Sequence, residues 1–280
     1  MKIKVPLTLA GIFMASVLQA ATLIQYNFDQ QINSMQYADQ SGNERTVTFT
    51  RDVTLASNYP FSASDPALAG IDKSGRTRYD LTTSASVSKA SGINLNTTKQ
   101  FTMEGWVNLE GFANLPETGV TGGTLWSLSN ITTTTSVFAL RYTSDGTVQA
   151  LFNSQSQSGG TRIFDTGVKL TLGTWTHLAY VKTALAVEVY INGVKVSTFS
   201  ESGITSRTLP TSLTNISVAG NIYGYFDDFR LSNTALTALQ LGYNTPFTTI
   251  PEPSTYALLL TSMVTGCALL KRGRKNQAMP

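Results

Sequence analysis

Residues 174–198 read TWTHLAYVKTALAVEVYINGVKVST. Asn192-Gly193 is a strong hairpin signal, because both central residues of a type I′ turn need positive φ and these two tolerate it best. A two-residue loop fixes the register. It places Ile191 opposite Val194, Val189 opposite Val196, and Val187 opposite Thr198. Those side chains form one nearly apolar face. Glu188, Tyr190 and Lys195 fall on the other face, where Tyr190 covers the stem of Lys195. One buried and one polar face is the pattern of an antiparallel sheet in a sandwich. WTHLAYV, just upstream, reads as the next strand.

The string G-x-W-x-H-L-A-Y-V followed by V-Y-I-N-G-V-K-V resembles the core hairpin of laminin-G-like, concanavalin A-like jelly-roll domains. FTMEGWVNL (Phe101 to Leu109), TLWSL (Thr124 to Leu128) and YFDDFRLSNTALTALQL (Tyr225 to Leu241) follow that family's order. The resemblance covers roughly residues 22 to 242. One departure is visible. Thr183-Ala184-Leu185-Ala186 stands where the family often has an Asp-Gly turn, so a longer or altered turn is expected there. The resemblance implies an all-β, two-sheet antiparallel jelly-roll sandwich.

At 280 residues the chain has room for one large sandwich. Six of its 20 basic residues, Lys2, Lys4, Lys271, Arg272, Arg274 and Lys275, lie in the terminal segments. The rest carries 14 basic against 17 acidic residues, so no nucleic-acid surface is indicated. Cys267 is the only cysteine and no intrachain disulfide can form. A core of this size does not need one, so an oxidising compartment stays open.

Residues 1–20 read as a secretory signal peptide. Lys2 and Lys4 form the basic start, Val5 to Leu18 the apolar segment, and Ala20 the small residue at the cut. The alternative is an uncleaved anchor, but the apolar segment is short for a span. The domain is expected over 21–242. It opens with the strand TLIQYNFD, then ADQSGNERTVTF, where Asp39, Ser41, Gly42 and Asn43 match the family's Asp-x-Ser-Gly-Asn turn. Leu55 to Asp80 and Glu110 to Gly123 read mainly as loops. SVFALRYTSDGTVQALF is a second hairpin around Asp145-Gly146, and a strict two-residue loop would pair Arg141 with Ala150.

Residues 243–250 read as a linker. Over 251–275, Pro251-Glu252-Pro253, an apolar run and a basic cluster resemble the bacterial PEP-CTERM sorting signal. As a helix, its membrane segment 254–270 would be ~25 Å long, short of a ~30 Å hydrocarbon core but workable with thinning or snorkelling. The basic end predicts a cytoplasmic C-terminus. The resemblance implies processing by an exosortase-type enzyme and export to the cell surface or extracellular matrix of a Gram-negative bacterium. The protein would be held in the inner membrane only before processing. The alternative is a plain C-terminal anchor.

His177 is the only histidine, so any Ser-His-Asp or Cys-His site must use it; its place inside a strand favours a structural role. One His and one Cys exclude a His/Cys zinc site within the chain. Jelly-roll glycosidases need two spaced carboxylates, but their Glu-x-Asp-x-x-Glu strand motif is absent. Glu104 and Glu188 are the isolated candidates, each with a solvated or hydrogen-bonded alternative. Asp227 alternates with Phe226, Asp228 and Arg230 and so shares a face with Phe229 and Leu231, taken here as core. A buried carboxylate must be paired, hydrogen-bonded or metal-bound. Two readings stand. Either Asp227 binds a structural Ca2+ with Asp29, Asp39 and Asn43, as related jelly rolls imply, or it accepts backbone N–H groups. Trp106 and Trp126 suit stacking on a sugar, with burial as the default alternative. Trp175 reads as core, and Tyr223 and Tyr225 as a weaker binding pair.

The expected function is non-catalytic: an exported surface or matrix protein that binds polysaccharide or a surface protein in an exopolysaccharide layer. A polysaccharide-degrading hydrolase or lyase on the same fold is the alternative. Intact-mass measurement of the protein from its native host should show both ends removed, with loss of the first ~20 residues. A full-length cytoplasmic species would contradict this reading of the termini.

Overall fold

In the computed structural model, Asn192 and Gly193 carry φ of 51° and 74°, the tight turn that their side chains permit. The structure describes residues 22–29, 31–49, 54–56, 74–77, 85–112, 114–115, 120–130, 136–153, 162–200, 209–220 and 222–243. The signal peptide expected at 1–20 and the sorting signal at 251–275, with Pro251, Glu252, Pro253 and the span 254–270, lie outside them. The 243–250 linker is described only at Tyr243. Among the described residues, no helix is long and apolar enough to cross a membrane.

The strands are β1 (Thr22–Tyr26), β2 (Gln31–Asn33), β3 (Gln36–Tyr37), β4 (Val47–Phe49), β5 (Thr54–Ala56), β6 (Ser74–Thr77) and β7 (Ala85–Val87). Then follow β8 (Phe101–Gly111), β9 (Asn114–Leu115), β10 (Val120–Thr121), β11 (Gly123–Asn130), β12 (Ser136–Tyr142) and β13 (Thr147–Asn153). The last are β14 (Arg162–Lys169), β15 (Thr176–Lys182), β16 (Val187–Ile191), β17 (Val194–Phe199), β18 (Asn215–Val218) and β19 (Tyr223–Ser232). An eight-stranded sheet runs β17-β16-β15-β8-β19-β6-β5, with β1 also on β19. A five-stranded sheet runs β14-β13-β12-β11-β18, and smaller sheets join β2-β3-β4-β7 and β10-β9. All pairings are antiparallel, as the jelly-roll expectation requires.

Two hairpin registers differ from expectation. In β16–β17, Ile191 meets Val194 and Tyr190 meets Lys195, but a bulge then pairs Val189 with Ser197 and Val187 with Phe199. The extra residue brings Phe199 to the apolar face, where it stacks on Phe164 of β14 at 4.5 Å. That contact joins one edge of each sheet. In β12–β13, Arg141 pairs with Gln149, not Ala150. Gly146, at φ 85°, makes a three-residue loop that sets Tyr142, Leu140 and Phe138 opposite Val148, Ala150 and Phe152 in the core.

The supposed loops are not all loops. β5 and β6 lie within Leu55–Asp80 and its margin, and extend the large sheet from β19. β9 and β10 form a small hairpin within Glu110–Gly123. These short strands have too few alternating positions to announce themselves. At Thr183 the turn is altered as expected, with Lys182 paired to Val187 across Thr183–Ala186. The Thr183 hydroxyl accepts N–H bonds from Leu185 and Ala186 and replaces the Asp-Gly signal.

The facing of β19 also needs correction. Asp227 pairs with Trp106 and Arg230 with Glu104, so β19 holds one residue more than β8 between them. Asp228 takes the strain at φ 47°. The bulge lets Phe226, Phe229 and Leu231 all enter the core while Asp227 turns to the sheet's outer face. Strict alternation, assumed from sequence, fails here because two phenylalanines three residues apart both bury.

Gly105 shows how tight the core is. A Cβ there would stand 2.9 Å from the Trp126 ring and 3.2 Å from the Asp227 carbonyl. Gly105→Ala should therefore cost ~1–3 kcal/mol through overpacking. At ~2–4 °C per kcal/mol, calorimetry should show a lower Tm. An unchanged Tm would mean that Trp126 does not press on β8.

Candidate functional site

Along β8, Phe101, Met103, Val107 and Leu109 face the core, and Thr102, Glu104, Trp106 and Asn108 face outward. That outward face is covered. After β19 the chain turns back as a strap over residues 233–243. Thr102 Oγ1 donates to the Thr234 carbonyl and accepts the Leu236 N–H. Leu236 and Leu241 pack with Ala179, Val181 and Tyr190 as a second small core. The TALTALQL segment supplies one 3-10 turn, Ala238–Gln240. Tyr243 stacks on Trp106 at 5.7 Å.

Glu104 sits beneath the strap with no solvent exposure. Its Oε1 accepts Arg230 Nε at 2.6 Å, and Arg230 Nη2 pairs with the same oxygen. Its Oε2 accepts the Gly242 N–H at 2.9 Å and lies 3.2 Å from His177 Nε2, an ion-pair distance. Arg230 also donates to the Gln240 carbonyl at 2.8 Å. Burial pushes the Glu104 carboxyl up. The His177 contact, the Arg230 charge and the Gly242 N–H outweigh it, so the group is held below the usual carboxylate range. His177 is itself fully buried, between Glu104 and the rings of Trp106 and Tyr243. Glu188, on the same sheet, accepts Tyr190 OH at 2.7 Å and pairs with Lys195 at 3.1 Å.

The other candidates are equally engaged. Trp126 has no exposure and packs on Phe229 at 5.3 Å; Trp106 lies under the strap. Neither offers a face to a sugar, which corrects the stacking expectation at both. Trp175, expected in the core, is only half-buried, 6.2 Å from Tyr225. Asp39 Oδ1 accepts the N–H groups of Gln25 and Ser41, and Oδ2 accepts Ser41 Oγ and the Arg45 N–H. Asn43 donates to the Thr22 and Leu23 carbonyls. This loop staples β1, and its donors point at the oxygens a cation would need. Asp29 accepts from Asn27 Nδ2, and Asp227 Oδ1 from the Asp228 N–H. Among the described residues, no three His, Cys, Asp or Glu side chains group as metal ligands. The residues named for calcium therefore do not fit a shared ion.

The outer face of the five-stranded sheet differs from the sealed one. A row of Ser217, Ser127, Ala139, Leu151 and Ile163 crosses all five strands by register. Beside it, Arg141 Nε donates to Gln149 Oε1 at 3.0 Å, and Gln149 Nε2 to Asp165 Oδ2 at 3.3 Å. Asp165 and Ile163 are exposed, and Arg141, Gln149 and Leu151 half-buried. Small residues over the middle strands are edged by a polar ladder, and the exposed side chains lie at the β14 edge. Sequence reading missed this arrangement because the Asp145-Gly146 register was off by one.

Replacing Glu104 by Gln should strand the Arg230 charge and cost ~3–5 kcal/mol in denaturant unfolding. The carboxyl is lowered in the folded state, so its contribution is complete above the unfolded value of about 4.3 and is lost as pH falls through the folded one. The gap between wild type and Glu104→Gln should therefore narrow below about pH 4. A gap independent of pH would show that charge is not what Glu104 contributes.

Comparison with known proteins agrees with this architecture. Residues 81–242 match the Laminin_G_3 family model, described as the concanavalin A-like lectin/glucanases superfamily. Domain 4 of an extracellular arabinanase from Geobacillus stearothermophilus, solved with arabinotriose, is 19% identical, with 79% of this chain covering 96% of that one at a TM-score of 0.53. The binding domain of Paraclostridial mosquitocidal protein 1 is 16% identical (78% of this chain, 50% of that one, TM-score 0.55). Trypanosoma rangeli sialidase is 11% identical (80% and 33%, TM-score 0.56). The chain thus spans half the length of the toxin chain and a third of the sialidase. At these identities the likeness shows the fold alone. No curated protein matches the sequence. With its antiparallel sandwich and a family match over more than half its length, the chain belongs to the concanavalin A-like lectin/glucanases superfamily.

Proposed function

We propose that the protein is an exported, non-catalytic module that binds glycan through the outer face of its five-stranded sheet. The observation that carries this reading is the contrast between the two outer faces. Glu104 is committed to Arg230, His177 and Gly242 beneath the strap, while the polar ladder Arg141–Gln149–Asp165 stands beside a shallow floor of small residues. Hydrolysis of a glycosidic bond needs two carboxyl groups flanking that bond. Glu104 has no access to solvent, and Glu188 is held by Tyr190 and Lys195. A bidentate guanidinium, an amide and a carboxylate in a row offer donors and acceptors to sugar hydroxyls without chemistry. A domain of the same fold, from the arabinanase, is solved with arabinotriose, in keeping with a glycan ligand.

Delivery of this module rests on the two ends. The signal peptide at 1–20 and the PEP-CTERM-like segment with Pro251, Glu252 and Pro253 support export and exosortase-type processing, leaving the domain at the cell surface or in the matrix. Calcium plays no part in this proposal, since Asp39 and its neighbours are already satisfied by protein donors.

On a glycan array the protein should bind a subset of neutral polysaccharides. Arg141→Ala and Asp165→Ala should weaken that binding about tenfold, the loss of roughly one good hydrogen bond to charge, with Tm within a degree or two of wild type because both positions are at the surface. The same polysaccharides should yield no more reducing ends than with heat-unfolded protein. Turnover would put the hydrolase first, and binding indifferent to both variants would move the site elsewhere.

A further inference from the structure

The strap's last described residue, Tyr243, lies over Trp106, and the outward row one step further along β8 is centred on Asn108. Asn108 pairs with Tyr225 of β19. On its other side Thr176, the first residue of β15, pairs with Val107, and Trp175 immediately precedes it. Directly opposed residues share a face. Asn108 and Tyr225 therefore share the outer face, where the Trp175 ring meets that of Tyr225. The two rings tilt against each other, with centroids 6.2 Å apart and planes at 50°. Both remain half-buried, as does Tyr223 two residues on.

Asn108 itself is only 5% exposed, and no donor among the described residues reaches its Oδ1. A buried amide oxygen without a donor is costly, and a structural Asn in a sheet is normally satisfied. A buried acceptor awaiting a donor, beside a pair of half-buried aromatic rings, is the composition of a small-molecule site: apolar walls and one convergent polar atom.

We propose that Trp175, Tyr225 and Asn108 form a second carbohydrate subsite, for a single neutral sugar ring. The apolar C–H face of the ring lies on Trp175. One of its hydroxyls enters between the rings as Tyr225 turns about its side-chain bonds, and donates to Asn108 Oδ1. The donor requirement selects a polyol ring over a proline-rich peptide, which stacks equally well on aromatics but brings no N–H at proline. The five-stranded sheet's outer face contributes nothing to this subsite, so the two can stand or fall separately.

The test uses the three tryptophans. Trp106 and Trp126 are buried, so changes on ligand addition report chiefly on Trp175. The intact protein is titrated with methyl hexopyranosides and methyl pentosides, and with arabinotriose, following fluorescence and saturation-transfer NMR. The expected result is saturable quenching or a shift with at least one probe. Trp175→Phe should retain binding, and Trp175→Ala should weaken it about tenfold, the scale of one lost aromatic contact. Asn108→Leu is the discriminating variant. Removing an unsatisfied acceptor should leave Tm unchanged or higher, yet sugar binding should fall about tenfold. A purely structural Asn108 would show the reverse, a lower Tm with unchanged binding. No response to any probe, or binding that survives both Trp175→Ala and Asn108→Leu, overturns the proposal. Binding lost in Arg141→Ala but kept in Trp175→Ala would overturn this subsite and leave the open sheet face standing.

Discussion

A carboxylate cut off from water must be paired or hydrogen-bonded where it stands, and in this sandwich Glu104 is met by three different parts of the chain. Arg230 reaches it from the neighbouring strand, His177 from the strand on the other side, and Gly242 from the returning strap. Each contact constrains something larger. Arg230 can face Glu104 only because the bulge at Asp228 shifts the alternation of β19. His177 is in turn fixed by the hairpin tip, since its N–H and carbonyl both bond Asn192. Gly193 then leaves room for Tyr243, whose ring lies 2.8 Å from where a Cβ would stand. The Asn-Gly turn thus serves the strap as well as the hairpin.

The strap explains why the two outer faces differ. Sheets in a sandwich bury one face against each other and ordinarily leave the other to water. Here the larger sheet buries much of both. Thr102, Glu104 and Trp106 lie under residues 233–243, and Asn108 and Tyr225, with Trp175 against Tyr225, lie past Trp106 along the sheet. The five-stranded sheet keeps a conventional outer surface. The proposed glycan site is therefore sought away from the strap, and the buried acid serves the fold.

Much of this was legible in the sequence where the signal was local. Asn192-Gly193, the alternation of FTMEGWVNL and the acceptor loop around Asp39 all behave as their residues dictate. What was not legible depended on an added residue. A single bulge moved Asp227 off the core side, another moved Phe199 onto it, and the three-residue loop at Gly146 reset the row that holds Arg141. Bulges are chosen by what the second sheet offers, such as Phe164 waiting for Phe199, and that partner is remote in sequence. The strap was hidden for a related reason. TALTALQL has little pattern of its own and is held by contacts to Thr102 and Glu104 more than a hundred residues away.

The central claim is that Glu104 clips the strap onto the large sheet as part of the cooperative fold. Amide hydrogen exchange of the native protein tests it most directly. The Leu236 and Gly242 N–H groups donate to Thr102 and Glu104 side chains, so they should be protected on the timescale of the β8 amides and exchange only with global unfolding. Exchange at those two positions as fast as at a frayed terminus, with β8 still protected, would contradict the account.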